Sequence, residues 1–196
     1  MNDLEQYYEI VDHIYSLTTI LLTAYCYASL AKPFLLDTSS GRLQKSRTWL
    51  VAAAYACIML FLHYMPYYIN AILAYGIGIL GTFFVMCLLN PVYIRQKLFL
   101  SITFFSLRWQ AWRIVGQTVF AWHPLIYKFI SNNDKIVWFR VYVIECVRDS
   151  LFGFFLMYVG VRFLLRVYGK KQEHMKLREF LILTIPSLSG ICAYVM

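Results

Sequence analysis

Apolar residues run through this chain in long blocks, and the short stretches between them hold most of the charges. A helix crossing a bilayer needs about 20 mostly apolar residues, because the hydrocarbon core is about 30 Å thick and each residue rises about 1.5 Å. Segment 1 runs from about Ile14 to Leu36, with Pro33 marking its end. A second apolar stretch, Trp49 to Leu89, is too long for one span. Met65-Pro66-Tyr67-Tyr68 breaks it near the middle, which predicts spans at 49–65 and 69–89 joined by a tight uncharged turn. Further spans are expected at 98–122, 137–165 and 180–196. The last of these, FLILTIPSLSGICAYVM, is barely long enough to cross and has no flanking charge, so the chain reads as cut short there. The pattern predicts an all-α, polytopic transmembrane helix bundle of about six spans, one domain over residues 1–196.

Composition points the same way. Hydrophobic residues make up 61% and charged residues 14% of the chain, against roughly a quarter charged in a soluble domain. Mean hydropathy is +0.60. The net charge of +8 does not imply nucleic acid, because the basic residues sit in clusters between apolar runs. Lys32, Arg42, Lys45 and Arg47 occupy the first link, Arg95 and Lys97 the third, and Arg166, Lys170, Lys171, Lys176 and Arg178 the fifth. The N-terminus and the second link have no Lys or Arg, and the fourth has Lys128 and Lys135 beside Asp134. The positive-inside rule therefore places odd links in the cytoplasm and the N-terminus outside. The acidic start lacks the basic region of a cleavable signal peptide, so segment 1 reads as a permanent span. Interface aromatics follow: Tyr7, Tyr8, Tyr64, Tyr67, Tyr68, Trp122, Trp138 and Tyr142 on the outer side, Trp49 and Tyr93 on the inner.

Ionisable residues inside the expected spans are the sharpest candidates for function, since each costs several kcal/mol unless it pairs or faces water. Segment 4 carries Arg108 and Arg113; segment 5 carries Glu145, Arg148 and Asp149. With the two segments antiparallel, Arg108 is expected level with Asp149, and Arg113 level with Glu145. Glu145 and Asp149, four apart, share a helix face, whereas the two arginines are rotated by about 140°. Arg108–Asp149 is the better expected pair and Arg113–Glu145 the weaker. Such pairs either staple the two helices together or line an outward-open polar pocket. Tyr67, Tyr68, Trp112, Trp122, His123 and Trp138 are the candidate ligand-facing side chains. Trp112 also lies four residues after Arg108, a spacing that permits a cation–π contact.

Other features favour packing. The five cysteines fall about one per segment with no metal-ligand or CxxC spacing, and they read as small apolar residues between helices. His13, His63 and His123 all fall near the expected outer face, but scattered single histidines do not make a metal or pH-sensing cluster. Gly76, Gly78 and Gly81 would let helices approach closely. No HExxH, GxSxG, Walker A or HxE…CxxC motif is present, so no catalytic residue, metal or cofactor is assigned and the chain alone reads as a non-enzyme. No internal repeat is visible, which disfavours a repeat-built transporter.

Two stretches carry a family resemblance: QKLFLSITFFSLRWQAW, Gln96 to Trp112, and MKLREFLILTIPSLSGICAYVM at the end of the chain. They resemble the N-terminal membrane region of Firmicute sensor histidine kinases with a GHKL-type ATPase domain, distant relatives of the accessory-gene-regulator peptide receptors. The resemblance implies a bacterial plasma-membrane sensor bundle for an extracellular peptide or small molecule, dimeric when whole and coupled to a kinase of a two-component system. The phospho-acceptor helix and the ATPase motifs are missing, so the chain would be an input module without its output. A small-solute-binding subunit of a vitamin-type transporter is the alternative, and an orphan assembly or immunity factor a third.

Overall fold

The computed structural model describes residues 2–35, 41–65, 71–129 and 135–168, all helix or short connection, with no strand among them. Five helices follow one another: α1 (Asn2–Ala31), α2 (Gly41–Tyr64), α3 (Ala71–Leu89), α4 (Ile94–Phe129) and α5 (Lys135–Tyr168). A 3-10 turn, Lys32–Leu35, ends α1 where Pro33 prevents the α-helical pattern from continuing. The break expected at Met65–Tyr68 separates α2 from α3. Helices α1, α4 and α5 outrun the expected spans at both ends or one, because polar flanking turns continue the backbone ladder after the apolar run stops. The expected sixth span, 180–196, lies outside the described residues.

The helices form a ring. Each packs on the next in sequence, and α5 returns to α1. Aromatic pairs give the directions. His13 meets Tyr64 and Tyr27 stacks on Tyr55, so α1 and α2 are antiparallel. Tyr8 meets Phe139 and Tyr142, while Tyr25, farther along α1, meets Phe154, so α1 and α5 are parallel. An odd number of alternating helices closes a ring only with one such parallel pair. Small residues set the tightest contacts. A Cβ on Gly78 would stand 2.6 Å from the Phe105 ring, and one on Gly160 2.6 Å from Leu107. Gly81 lies against Ile58, but Gly76, the third expected packing glycine, faces open space.

Large apolar side chains are as abundant outside as inside. Leu73, Ile77, Leu80, Phe84 and Leu88 make an exposed stripe on α3, and Ile144, Val147, Leu151, Phe155, Val159 and Phe163 make one on α5. Exposed stripes of this length are suited to lipid, not water. Among the described residues three stretches are long and apolar enough to cross a membrane: Glu5–Leu35, Ser46–Tyr64 and Ile136–Val167; Leu73–Leu89 is apolar but shorter. Helix α4 is the exception, for among the described residues it carries more buried polar groups than any other helix. Gln96, Lys97, Ser101 and Ser106 are buried among Phe99, Leu100, Ile102, Phe104 and Phe105.

One end of the ring is closed. Tyr27, Tyr55 and Phe104 pack as an aromatic triad at 4.8 to 5.7 Å between centroids. The Tyr27 hydroxyl is 2.9 Å from Ser101 Oγ. Beyond the triad, Lys97 is fully buried and donates to the carbonyl of Asn90. Asn90 sits just past the end of α3 and accepts the Val92 N–H on its own side chain at 2.8 Å. The α3–α4 connection is thus held by a cation at a helix C-terminus, where the peptide dipoles favour positive charge. Lys97, expected as a link cation at the inner face, is an internal fastener.

Candidate functional site

At the other end the ring is hollow. A cavity of about 400 Å³ lies between four helices. Helix α1 contributes Tyr15, Ser16, Thr19 and Ile20, and α2 contributes Met59, Leu62 and His63. Ala74 and Tyr75 come from α3, and Phe105, Arg108 and Trp112 from α4. Phe105 and Ile20 lie at the inner end, next to the aromatic triad; His63 lies one residue before the end of α2.

Arg108, Trp112 and Thr19, three residues of this lining, carry side-chain donors. Arg108 reaches Met59 Sδ through Nη1 at 3.3 Å. Its Nε, the Trp112 indole nitrogen and the Thr19 hydroxyl are all buried without a hydrogen-bond partner. Thr23, one turn farther along α1, shows the usual alternative, its hydroxyl donating to the Thr19 carbonyl at 2.9 Å. Among the described residues no carboxylate lies within ion-pair distance of Arg108.

Asp149, the expected partner of Arg108, is taken instead by its chain neighbour: Arg148 Nε and Nη2 both lie 2.9 Å from Asp149 Oδ1. The cause is the register of α4 against α5. Trp112 faces Gly153 and Leu107 faces Gly160, so Arg108 is level with the region of Tyr158. That places it about nine residues, roughly 13 Å, from the level of Asp149. Glu145 lies farther still toward the end of the ring and keeps one buried carboxylate oxygen unpartnered. Arg113 is not paired with it. Its guanidinium stands over the Trp109 ring at 5.1 Å, so the cation–π contact on this run is Arg113–Trp109 and not Arg108–Trp112.

Of the expected ligand-facing aromatics, Trp112 lines the cavity and packs edge-on against Tyr15. Trp122 is exposed on the C-terminal part of α4, and Trp138 is half-buried on α5, and neither lines the cavity. Tyr67, Tyr68 and the His123 side chain lie outside the described residues. His13 and His63 flank Tyr64, and no group of three potential metal ligands occurs among the described residues. Tyr15, Ser16, Thr19, Met59 and Tyr75 were not legible as site residues. The only signal for Thr19 is a hydroxyl in an apolar helix, which by default bonds its own backbone. No family model, no curated protein and no solved structure matches this chain.

Proposed function

We propose that this chain is the ligand-sensing module of a bacterial multi-pass plasma-membrane protein, similar to the input region of a GHKL-type sensor histidine kinase. The observation that carries the reading is the hollow end of the ring. A ligand seated there would touch four helices at once, and its binding would shift them against one another. The apolar stripes on α3 and α5 support a bilayer as the solvent of the outer surface. Lys32, Arg47, Arg95, Arg162 and Arg166 all lie at the closed end, whereas Glu5, Glu9 and Asp12 share the other end with Arg140. That distribution supports a closed end in the cytoplasm, an N-terminus outside and about six spans once 180–196 is added.

Orientation is tested by single cysteines in a variant whose own five cysteines are replaced. With a membrane-impermeant maleimide, Glu5→Cys should label in intact cells and Arg166→Cys only after permeabilisation; the reverse pattern overturns the orientation. Sensing is tested in lipid nanodiscs by screening small molecules for thermal stabilisation. The distance between spin labels at Lys32 and Arg166 is then measured with and without each hit. A ligand that changes this distance supports the sensor. A cavity lined from four helices also suits the alternative, a small-solute-binding transporter subunit, which a ligand leaving the closed end unmoved would favour.

A further inference from the structure

An arginine inside a membrane-spanning bundle is retained where it meets an anion or a polar, solvated space. Among the described residues Arg108 has a sulfur atom as its one side-chain partner and a buried Nε with none. Trp112 and Thr19 add an N–H and an O–H that are buried, unpartnered and part of the same lining. Thr19 is only 9% exposed. Around these donors Ile20, Leu62, Phe105 and Tyr75 give apolar and aromatic wall, and Ser16 and His63 add polar groups to it. The one permanent charge in this lining, the Arg108 guanidinium, matches a monoanion; a dianion would leave a charge uncompensated in a medium of low dielectric. A planar guanidinium suits a carboxylate in particular, because two parallel N–H groups meet its two oxygens. The volume of about 400 Å³ lies toward the small end of ligand sites.

We propose that the cavity binds a small amphipathic carboxylate, its head held by Arg108, Trp112 Nε1 and Thr19 Oγ1 and its apolar body laid against Phe105 and Ile20. This rests on the ligand-sensing reading and names the chemistry of its ligand. The acid could arrive from water or from the bilayer, and the probes separate the two sources.

The test uses the full chain in nanodiscs of zwitterionic lipid and two matched acid–amide pairs. Indole-3-acetate with indole-3-acetamide is water-borne; decanoate with decanamide is bilayer-borne. Binding is read by native mass spectrometry. At least one acid should bind about tenfold or more tighter than its amide, the size expected for charge-assisted hydrogen bonds in a buried site. Arg108→Gln should abolish the preference and Arg108→Lys retain part of it. Should Arg108→Gln fail to fold, Thr19→Val, which removes one donor at nearly constant volume, should weaken the acid several-fold and spare the amide. Acids and amides that bind alike in both pairs, or a preference that survives Arg108→Gln, would overturn the proposal. An Arg108-dependent acid that leaves the Lys32–Arg166 label distance unchanged keeps the ligand class and removes the sensing reading. A ligand without a carboxylate that shifts that distance does the opposite.

Discussion

Two cations on α4 face the interior of the same ring and meet opposite fates. Lys97 and Arg108 are eleven residues apart, about three turns, and so lie on nearly one face of the helix. Lys97, at the closed end, is completely buried and bonded to the carbonyl that follows α3. Arg108, at the hollow end, touches a thioether and lines a cavity. The Tyr27–Tyr55–Phe104 triad lies between them. A buried charge whose partner is backbone belongs to the architecture of the ring. A half-buried charge that lines a cavity is available to something that is not part of the chain.

The largest effect is therefore expected at the closed end. Lys97→Met keeps the length of the side chain but leaves the Asn90 carbonyl without its donor, which should cost about 3 kcal/mol or prevent folding. Loss of the monodisperse peak in detergent chromatography, or a lowered midpoint in denaturant unfolding, would register it. A variant as stable as the parent would show that Lys97 is no fastener. Next comes the α3–α4 contact. Gly78→Ala forces a methyl into the buried Phe105 ring and should cost about 1–3 kcal/mol, whereas Gly76→Ala, in open space two residues away, should gain up to about 1 kcal/mol of helix propensity. Equal effects at the two glycines would mean that α3 does not pack on α4 in this register. Smaller again, Tyr27→Phe removes the hydroxyl at Ser101 and should cost about 1 kcal/mol in the same assay.

What could be read in advance follows from what each feature depends on. Helix positions depend on the local apolar pattern, and the blocks of the sequence located all five described helices and the break between α2 and α3. The pairing of charges depends on register, which small residues decide at a distance. Gly153 and Gly160 receive Trp112 and Leu107, and this moves Asp149 away from Arg108. Nothing in the spacing of the charges encodes that choice. Arg108 and Trp112 were legible as unusual residues in an apolar run. Their neighbours in the cavity were not, because Thr19, Met59 and Tyr75 are ordinary residues for a packed helix and acquire meaning only from the space between them. Lys97 shows the converse, since a cation beside a link reads as surface charge until α3 is seen to end on it.

The smallest stability effect should come from the cation that looks most expensive. Arg108→Met replaces a half-buried guanidinium, whose Nε has no partner and whose Nη1 meets a thioether, with an apolar group of similar reach. Stability should be unchanged or raised by up to about 1 kcal/mol, because the desolvation cost of the guanidinium disappears with no hydrogen bond of comparable strength lost. Unfolding of this variant beside Lys97→Met is the direct comparison of the two ends. A loss at Arg108 as large as that at Lys97 would mean both cations are struts and the cavity is a packing gap. A stable Arg108→Met chain would instead show that the arginine is kept at a cost to the fold, as expected of a residue held for binding.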